Sequence, residues 1–429
     1  MKAARWAGLA IFAAGFSVRG ELPRPSPTPT HQGSSIALVG ARVYRAPNLP
    51  PIPQGVVLIR GDTIAAVGDA RTVQIPRDVA RVVCNGLTVT AGFWNSHVHF
   101  TEPHWGGADT AAAERLNRQL GEMLTRYGYV HVLDTGSLLR NTLALRDRIR
   151  RGLLLGPDIR TTGLGFAAKG GSPYYILPAR LPELSTLGGV REQIRAWVEQ
   201  GADAIKLFTA APATPSQVVA MPLDLVRAAV AQAHSMGRLV IAHPTNNAGM
   251  NAAIDGGVDI LAHTSPDGGP WEGSMVARMK AAKIALIPTL KLWRFEVVRH
   301  GGDAAAVKRI LEVAKGQLRA YANAGGDILF GTDVGYMTDY DPTEEYALMQ
   351  AAGLDFPQIL ASLTTLPGAR LGGGSGRRAT GRLEPGAPAD IVVLEGDPAR
   401  NIRALAQVRY ALRAGWLVYK RPVEKPSGG

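Results

Sequence analysis

His97 and His99 stand one residue apart, directly after a short apolar run, Leu87-Thr88-Val89-Thr90-Ala91-Gly92-Phe93. Side chains along a strand alternate faces, so if that run is a strand both imidazoles point to the same side. Two neutral imidazoles converging at a strand end make half of a metal site. Lys206, His243, His263 and Asp333 offer the other half, and each sits at the end of another apolar, strand-like run.

Gathering six such side chains demands a particular set of elements. Strand signals at Leu87–Phe93, Tyr129–Asp134, Asp158–Gly163, Ala204–Phe208, Leu239–His243, Val258–His263, Ile284–Ile287 and Asp327–Phe330 alternate with helical ones. The helical segments include Ala108–Tyr127, Asn141–Arg151, Val190–Gln200 and Val218–Met236. Eight strands with intervening helices predict an α/β fold, a (β/α)8 TIM barrel over residues 87–379. In such a barrel the active site lies at the C-terminal ends of the strands, where the six residues fall. A doubly wound open sheet is the other reading, but it separates strands one and eight. Short strands and turns over residues 35–86, matched by strand-like runs within 380–422, predict a small β-sandwich-like appendage built from both termini.

These residues resemble the amidohydrolase superfamily, particularly members similar to imidazolonepropionases and prolidases. The resemblance rests on Ala91-Gly92-Phe93-Trp94-Asn95-Ser96-His97-Val98-His99-Phe100, Ala204-Ile205-Lys206-Leu207-Phe208, Ile241-Ala242-His243-Pro244, Leu261-Ala262-His263-Thr264 and Phe330-Gly331-Thr332-Asp333-Val334-Gly335. The closing run Gly381–Leu394 is also typical. It implies that His97, His99 and Asp333 bind one divalent ion and that His243 and His263 bind a second. Lys206, carboxylated by carbon dioxide, would bridge the pair, and zinc is the first expectation, although imidazole and carboxylate ligands also accept iron or manganese. A bare ammonium would be repelled there, whereas an amine that has captured carbon dioxide becomes an anion suited to two cations. The position alone also admits a lysine whose head reaches water. With two metals in place, a bridging hydroxide is the expected nucleophile, and Asp333 the base that relays its proton to the departing nitrogen. For Asp333 the alternative is a turn residue beside glycine.

Asn246 stands where many one-metal deaminases carry an acid, three residues after the third histidine. Together with Lys206, that favours the two-metal hydrolytic type over a nucleobase deaminase, and the expected reaction is hydrolysis of a C–N bond in a small, non-polymeric amide. Loops after the strands carry Lys169, Tyr174, Trp293 and Tyr336, and aromatics with cations suit an N-acyl amino acid or dipeptide bearing a carboxylate. A cyclic amide is the nearest alternative substrate, and a non-catalytic metal- or solute-binding barrel the alternative of another class. His104 could border the pocket, His131 reads as barrel interior, and His31, His234 and His300 read as surface or helix residues.

The bulk numbers set the remaining bounds. The chain has 429 residues, 46% hydrophobic and 19% charged, which predicts a sizeable packed core. Its net charge is +12, without a dense basic stripe interleaved with aromatics, so a nucleic-acid partner is not expected. Cys84 is the only cysteine, which excludes an internal disulfide and any cysteine-based metal cluster. Lys2 and Arg5 precede the apolar stretch Trp6–Phe16, so residues 1–20 read as a signal peptide for export to a periplasm or the exterior. Residues 21–34 read as a proline-rich linker. No stable membrane span is expected, and homo-oligomerisation is left open.

Overall fold

Gly92 divides what the sequence reads as one strand. In the computed structural model, which describes residues 35–372 and 381–422, Leu87–Ala91 pairs antiparallel with Ile391–Glu395 and parallel with Ser35–Val43. It therefore lies outside the barrel, and the first barrel strand is Phe93–Val98, which contains His97. This corrects the boundary expected at residue 87. Both runs are almost wholly buried, so neither carries an alternating pattern that would separate them. The joint requires glycine: a Cβ at Gly92 would collide with Val130 and crowd Asp390 at 3.1 Å.

Strands from both ends of the chain lie in one eight-stranded sheet. Its order is Trp416–Lys420, Val408–Arg413, Ile391–Glu395, Leu87–Ala91, Ser35–Val43, Ile52–Arg60 and Thr63–Asp69, with Ala80–Val83 also paired to Ser35–Val43. Val57, Ile59, Val89, Ile391 and Val393 pack within one core cluster of this sheet, and Cys84 is buried there as a small apolar side chain.

The central region is α/β and barrel-like. Phe93–Val98, Tyr129–Asp134 and Asp158–Thr161 form one parallel sheet, and Ala204–Phe208, Leu239–His243, Ile260–Ala262 and Ala285–Ile287 form another. The two do not close into one continuous ladder. Backbone hydrogen bonds cross the seams instead: Asp203 N–H donates to Thr161 O (2.8 Å), Phe166 N–H to Lys206 O (2.9 Å) and Ser96 N–H to Phe330 O (2.7 Å). The expected eighth strand, Asp327–Phe330, is an irregular segment with a single bridge from Ile328 to Leu286. It still reaches both neighbours, so the first and last segments touch, as an open sheet would not allow.

Side-chain parity locates the interior. Trp94, Leu133, Ala204, Ile241, Ile260, Ala262, Ala285, Ile287 and Leu329, one or two from nearly every strand, form a single buried cluster. They fill the barrel as a packed plug. A far larger cluster lies between strands and helices; there Phe330 stacks on Tyr346 at 4.8 Å and on Tyr129 at 5.9 Å. Each such buried aromatic contributes about 1.5–3 kcal/mol.

The first and fourth helices are shorter than their sequence signals, and the second and third begin two or three residues earlier than theirs. Ala113–Met123, Leu139–Arg150, Leu187–Glu199 and Leu223–Ser235 are observed. Residues expected to open the fourth helix instead form Gln217–Ala220, which pairs with Ala210–Thr214 as a hairpin. β-branched Val218 and Val219 favour that state, and Pro222 directly precedes the helix. The expected leader and linker, and His31, lie outside the described residues. Among the described residues, no helix is long and apolar enough to cross a membrane.

His131 lies in the barrel interior, stacked on Trp94 at 4.6 Å, and its Nε2 meets Asp390 Oδ2 at 2.9 Å. Asp390 also accepts from Ala414 N–H (2.7 Å) and so ties the barrel to the eight-stranded sheet. Removing one member of a buried pair leaves the other uncompensated. Asp390→Ala is therefore expected to cost about 3 kcal/mol, measured by urea denaturation, and Asp390 has no structural role if the loss is within experimental error.

Candidate metal centre

The residues immediately above the apolar plug are polar because the same inward parity continues. Ala204 faces in, so Lys206 does; Ile241 faces in, so His243 does. Three positions need a local departure. The ladder of Phe93–Val98 is irregular between Asn95 and Val98, and this shift re-aims His97 after inward Trp94. His263 follows inward Ala262 and would face outward, but its φ of 72° turns it back. Asp333 has φ 62°. Left-handed backbone at a non-glycine residue costs on the order of 1–3 kcal/mol and is retained only where surroundings enforce it.

Four imidazoles result in a row: His99 to His97 at 5.1 Å between ring centroids, His97 to His263 at 4.6 Å, and His263 to His243 at 4.9 Å. Asp333 Oδ1 lies 3.2 Å from His97 Nε2 and 2.8 Å from His99 Nε2. One ligand atom from each of these three residues lies within 4.8 Å of the others, a spacing that could hold an ion. Lys206 is only 2% exposed, its Nζ 5.9 Å from the Phe208 ring, and its charge acts on His97, His243 and His263. All six sequence-predicted residues therefore meet at one end of the barrel.

Their protonation follows from desolvation. Burial lowers His97 and His243 to about 3 and His263 well below its ordinary value, so these rings are neutral lone-pair donors at neutral pH. Burial lowers Lys206 to about 7, with Asp333 opposing. Burial would raise Asp333, but His97, His99 and His263 hold its carboxyl well below the usual range. Neutral imidazoles, a titratable amine and an ionised carboxylate are the donor set a divalent cation takes. Two observations fit such an ion: His97 Nδ1 is buried without a hydrogen-bond partner, and two Nε2 atoms aim at the same carboxylate oxygen.

Supporting contacts, which no spacing rule reveals, orient the rings. His99 Nδ1 lies 3.2 Å from Gly136 O, so donation there frees Nε2. Asp134 shapes that loop, accepting from Ser137 Oγ (2.5 Å), Gly136 N–H (3.2 Å) and Thr161 Oγ1 (2.7 Å). Asn95 Nδ2 donates to Thr332 Oγ1 (2.6 Å), fastening the first strand beside Asp333. Gly335 has φ 94°, and a Cβ there would strike the His99 carbonyl.

The residues expected to meet substrate divide. Tyr336, three residues beyond Asp333, donates to Glu296 (2.8 Å) and accepts from Arg299 (2.7 Å). Tyr174 lies 3.4 Å from His300 Nε2, and the neighbouring Tyr175, which the sequence does not single out, packs on Tyr336 at 5.7 Å. Trp293 donates to Thr264 Oγ1 (2.7 Å) and packs against the core, while Lys169 is exposed. Lys291 binds the backbone of Asp339 and Asp341, so its charge holds a loop. His104 faces Glu102 at 3.6 Å, and His234 pairs with Asp259 at 2.8 Å. Asn246 caps the helix Asn247–Gly256 by accepting from Gly249 N–H (3.0 Å).

Comparison with known proteins bears on this arrangement. The sequence pattern of the Amidohydrolase family matches residues 88–419. An ochratoxinase from Aspergillus niger is 24% identical over 426 residues, covering 88% of this chain and 85% of that one. A crystal structure of a prolidase complexed with N-methylphosphonate-L-proline aligns with TM-score 0.73 and 25% identity, over 90% of this chain and all of that one. A Xaa-Pro dipeptidase with bound methionine aligns with TM-score 0.76 at 21% identity, over 90% of this chain and all of that one, a likeness of fold.

Lys206 gives a pH signature in the metal-free protein. Between about 7 and the ordinary 10.5 the unfolded chain holds a proton that the folded one lacks, so stability rises with pH across that window. In carbon dioxide-free buffer, Lys206→Met is expected to remove that rise. Identical slopes for the two proteins in denaturant titrations would place the Lys206 amine in water.

Proposed function

Because the chain belongs to the amidohydrolase family, we propose that it hydrolyses small, non-polymeric amides, with N-acyl amino acids and dipeptides first among them. It is a hydrolase acting on C–N bonds, and its family works with divalent metal ions. The observation that carries the finer reading is the convergence of four imidazoles, three of them held neutral by burial, with Lys206 and an ionised Asp333 above the apolar plug.

In this proposal His97, His99 and Asp333 hold one ion, His243 and His263 hold the other, and Lys206 carries a carboxylate between them. Bound there, the ions, zinc in the first instance, would activate water at neutral pH and polarise the carbonyl. Asp333 accepts the proton released as water adds to the amide carbon. It returns that proton to the nitrogen as the C–N bond breaks, giving a carboxylate and a free amine. His97, His243 and His263 remain neutral throughout because they are desolvated. Tyr174, Tyr175 and Tyr336, with Arg299 beside them, supply the aromatic and cationic surface that an acyl amino acid requires. The names of the relatives, a prolidase and an ochratoxinase, support this substrate class. The leader read in residues 1–20 extends the proposal to an exported enzyme.

The test is a panel of N-acyl amino acids, dipeptides and cyclic amides. Turnover is expected on the first two groups, abolished by chelation and restored by zinc or manganese. Asp333→Asn is expected to lower kcat by about 100- to 10,000-fold. Bound metal without turnover on any of these amides would instead favour a binding protein, and turnover confined to cyclic amides would move the substrate class.

A further inference from the structure

Glu345 has no place in the chemistry above, yet it is one of the most deeply buried carboxylates in the protein. It lies in the helix Thr343–Ala351, and its two oxygens accept from Leu290 N–H (2.8 Å) and Lys291 N–H (2.7 Å). Those are the first two residues of the helix Leu290–Arg299, whose free amides need acceptors. A carboxylate suits that place, because the helix dipole leaves positive charge there.

The residue that would ordinarily fill this role is Thr289, at the N-cap. It makes no side-chain capping bond. Its hydroxyl donates to Pro288 O (2.9 Å), which leaves the oxygen to accept from His263 Nδ1 at 2.6 Å. Thr186 shows the ordinary alternative within the same chain. It caps the helix Leu187–Glu199 from extended backbone, φ −138°, with its hydroxyl accepting from Gly189 N–H. Thr289 instead has φ 43°, a left-handed conformation that a β-branched residue rarely adopts. Something must hold it there, and Glu345 grips the two residues that follow.

We propose that Glu345 is a positioning residue for His263: by capping the helix in place of Thr289, it frees the Thr289 hydroxyl to fix the His263 tautomer. With Nδ1–H donated to Thr289, Nε2 carries the lone pair. Without Glu345, the bare amides of the first turn would compete for the hydroxyl, Thr289 would relax toward the geometry of Thr186, and His263 would lose its orienting acceptor. The inference rests on the reading of His263 as a metal ligand.

The experiment is equilibrium zinc binding to the full chain, by competition with a chromophoric chelator. Glu345→Gln and Thr289→Val are each expected to weaken one zinc equivalent by about 10- to 100-fold and leave the other unchanged. The double variant is expected to be no weaker than Thr289→Val alone, since both act on one contact. Thr289→Ser, which keeps the hydroxyl, should bind as the parent does. Asp303→Ala serves as control, because it removes the cap of another helix, Ala304–Asn323, away from these residues. Unchanged zinc affinity in Glu345→Gln would overturn the inference, as would an equal loss in Asp303→Ala. Should Glu345→Gln fail to fold, Glu345→Asp, which keeps the charge but draws it back from the Leu290 and Lys291 amides, is measured in its place with the same expected loss. His263→Ala separates the two levels. If it keeps both zinc equivalents, the metal reading itself fails; if it loses one while Glu345→Gln does not, only the role of Glu345 fails.

Discussion

Desolvation of a cluster of ligands governs this molecule. Four imidazoles, an amine and a carboxylate stand above an apolar plug that water cannot enter. In bulk water the rings and the amine would compete for protons, and Asp333 would be hydrated. In the barrel His97, His243 and His263 are stripped to neutral donors while the carboxylate keeps its charge. Such an assembly carries lone pairs and negative charge in a medium that penalises both unless a cation answers them. If the cluster takes a divalent cation, as proposed, metal affinity and the cost of folding without metal are two expressions of one arrangement.

Strain enters for the same reason. Regular alternation delivers Lys206 and His243 to the inner face without distortion. It cannot deliver His97, His263 and Asp333, which follow inward neighbours at the wrong parity or stand where the strand has ended. An irregular ladder and two left-handed residues make up the difference. The surrounding hydrogen bonds, from Asn95 to Thr332 and from His263 to Thr289, hold those departures in place.

The six polar residues were legible because each ends an apolar run, and a barrel aims the ends of its strands at one mouth. The boundary at Gly92 was not, because two buried strands joined through one residue differ only in their partners. The eighth strand signal marked a real place in the chain, yet its backbone bonds its neighbours irregularly. Lys291, two residues before Trp293, is a clamp on the Asp339–Asp341 backbone rather than a substrate cation. Glu345 and Thr289 left no trace in local sequence, since their meaning depends on a contact 55 residues apart. Asn246 shows the converse: a position read for the acid it lacks holds a helix cap.

The joint at Gly92 has a consequence for how the molecule can be divided. The outer sheet and the barrel share one uninterrupted stretch of backbone, and His97 lies just beyond the crossing. A barrel cut free at this point would begin with a loose chain end four residues ahead of His97. Fraying of that end would reach the metal centre before any other part of the fold. The outer sheet thus serves as the anchorage of the first ligand strand, and a shuffled or truncated relative could not discard it without replacing that tether.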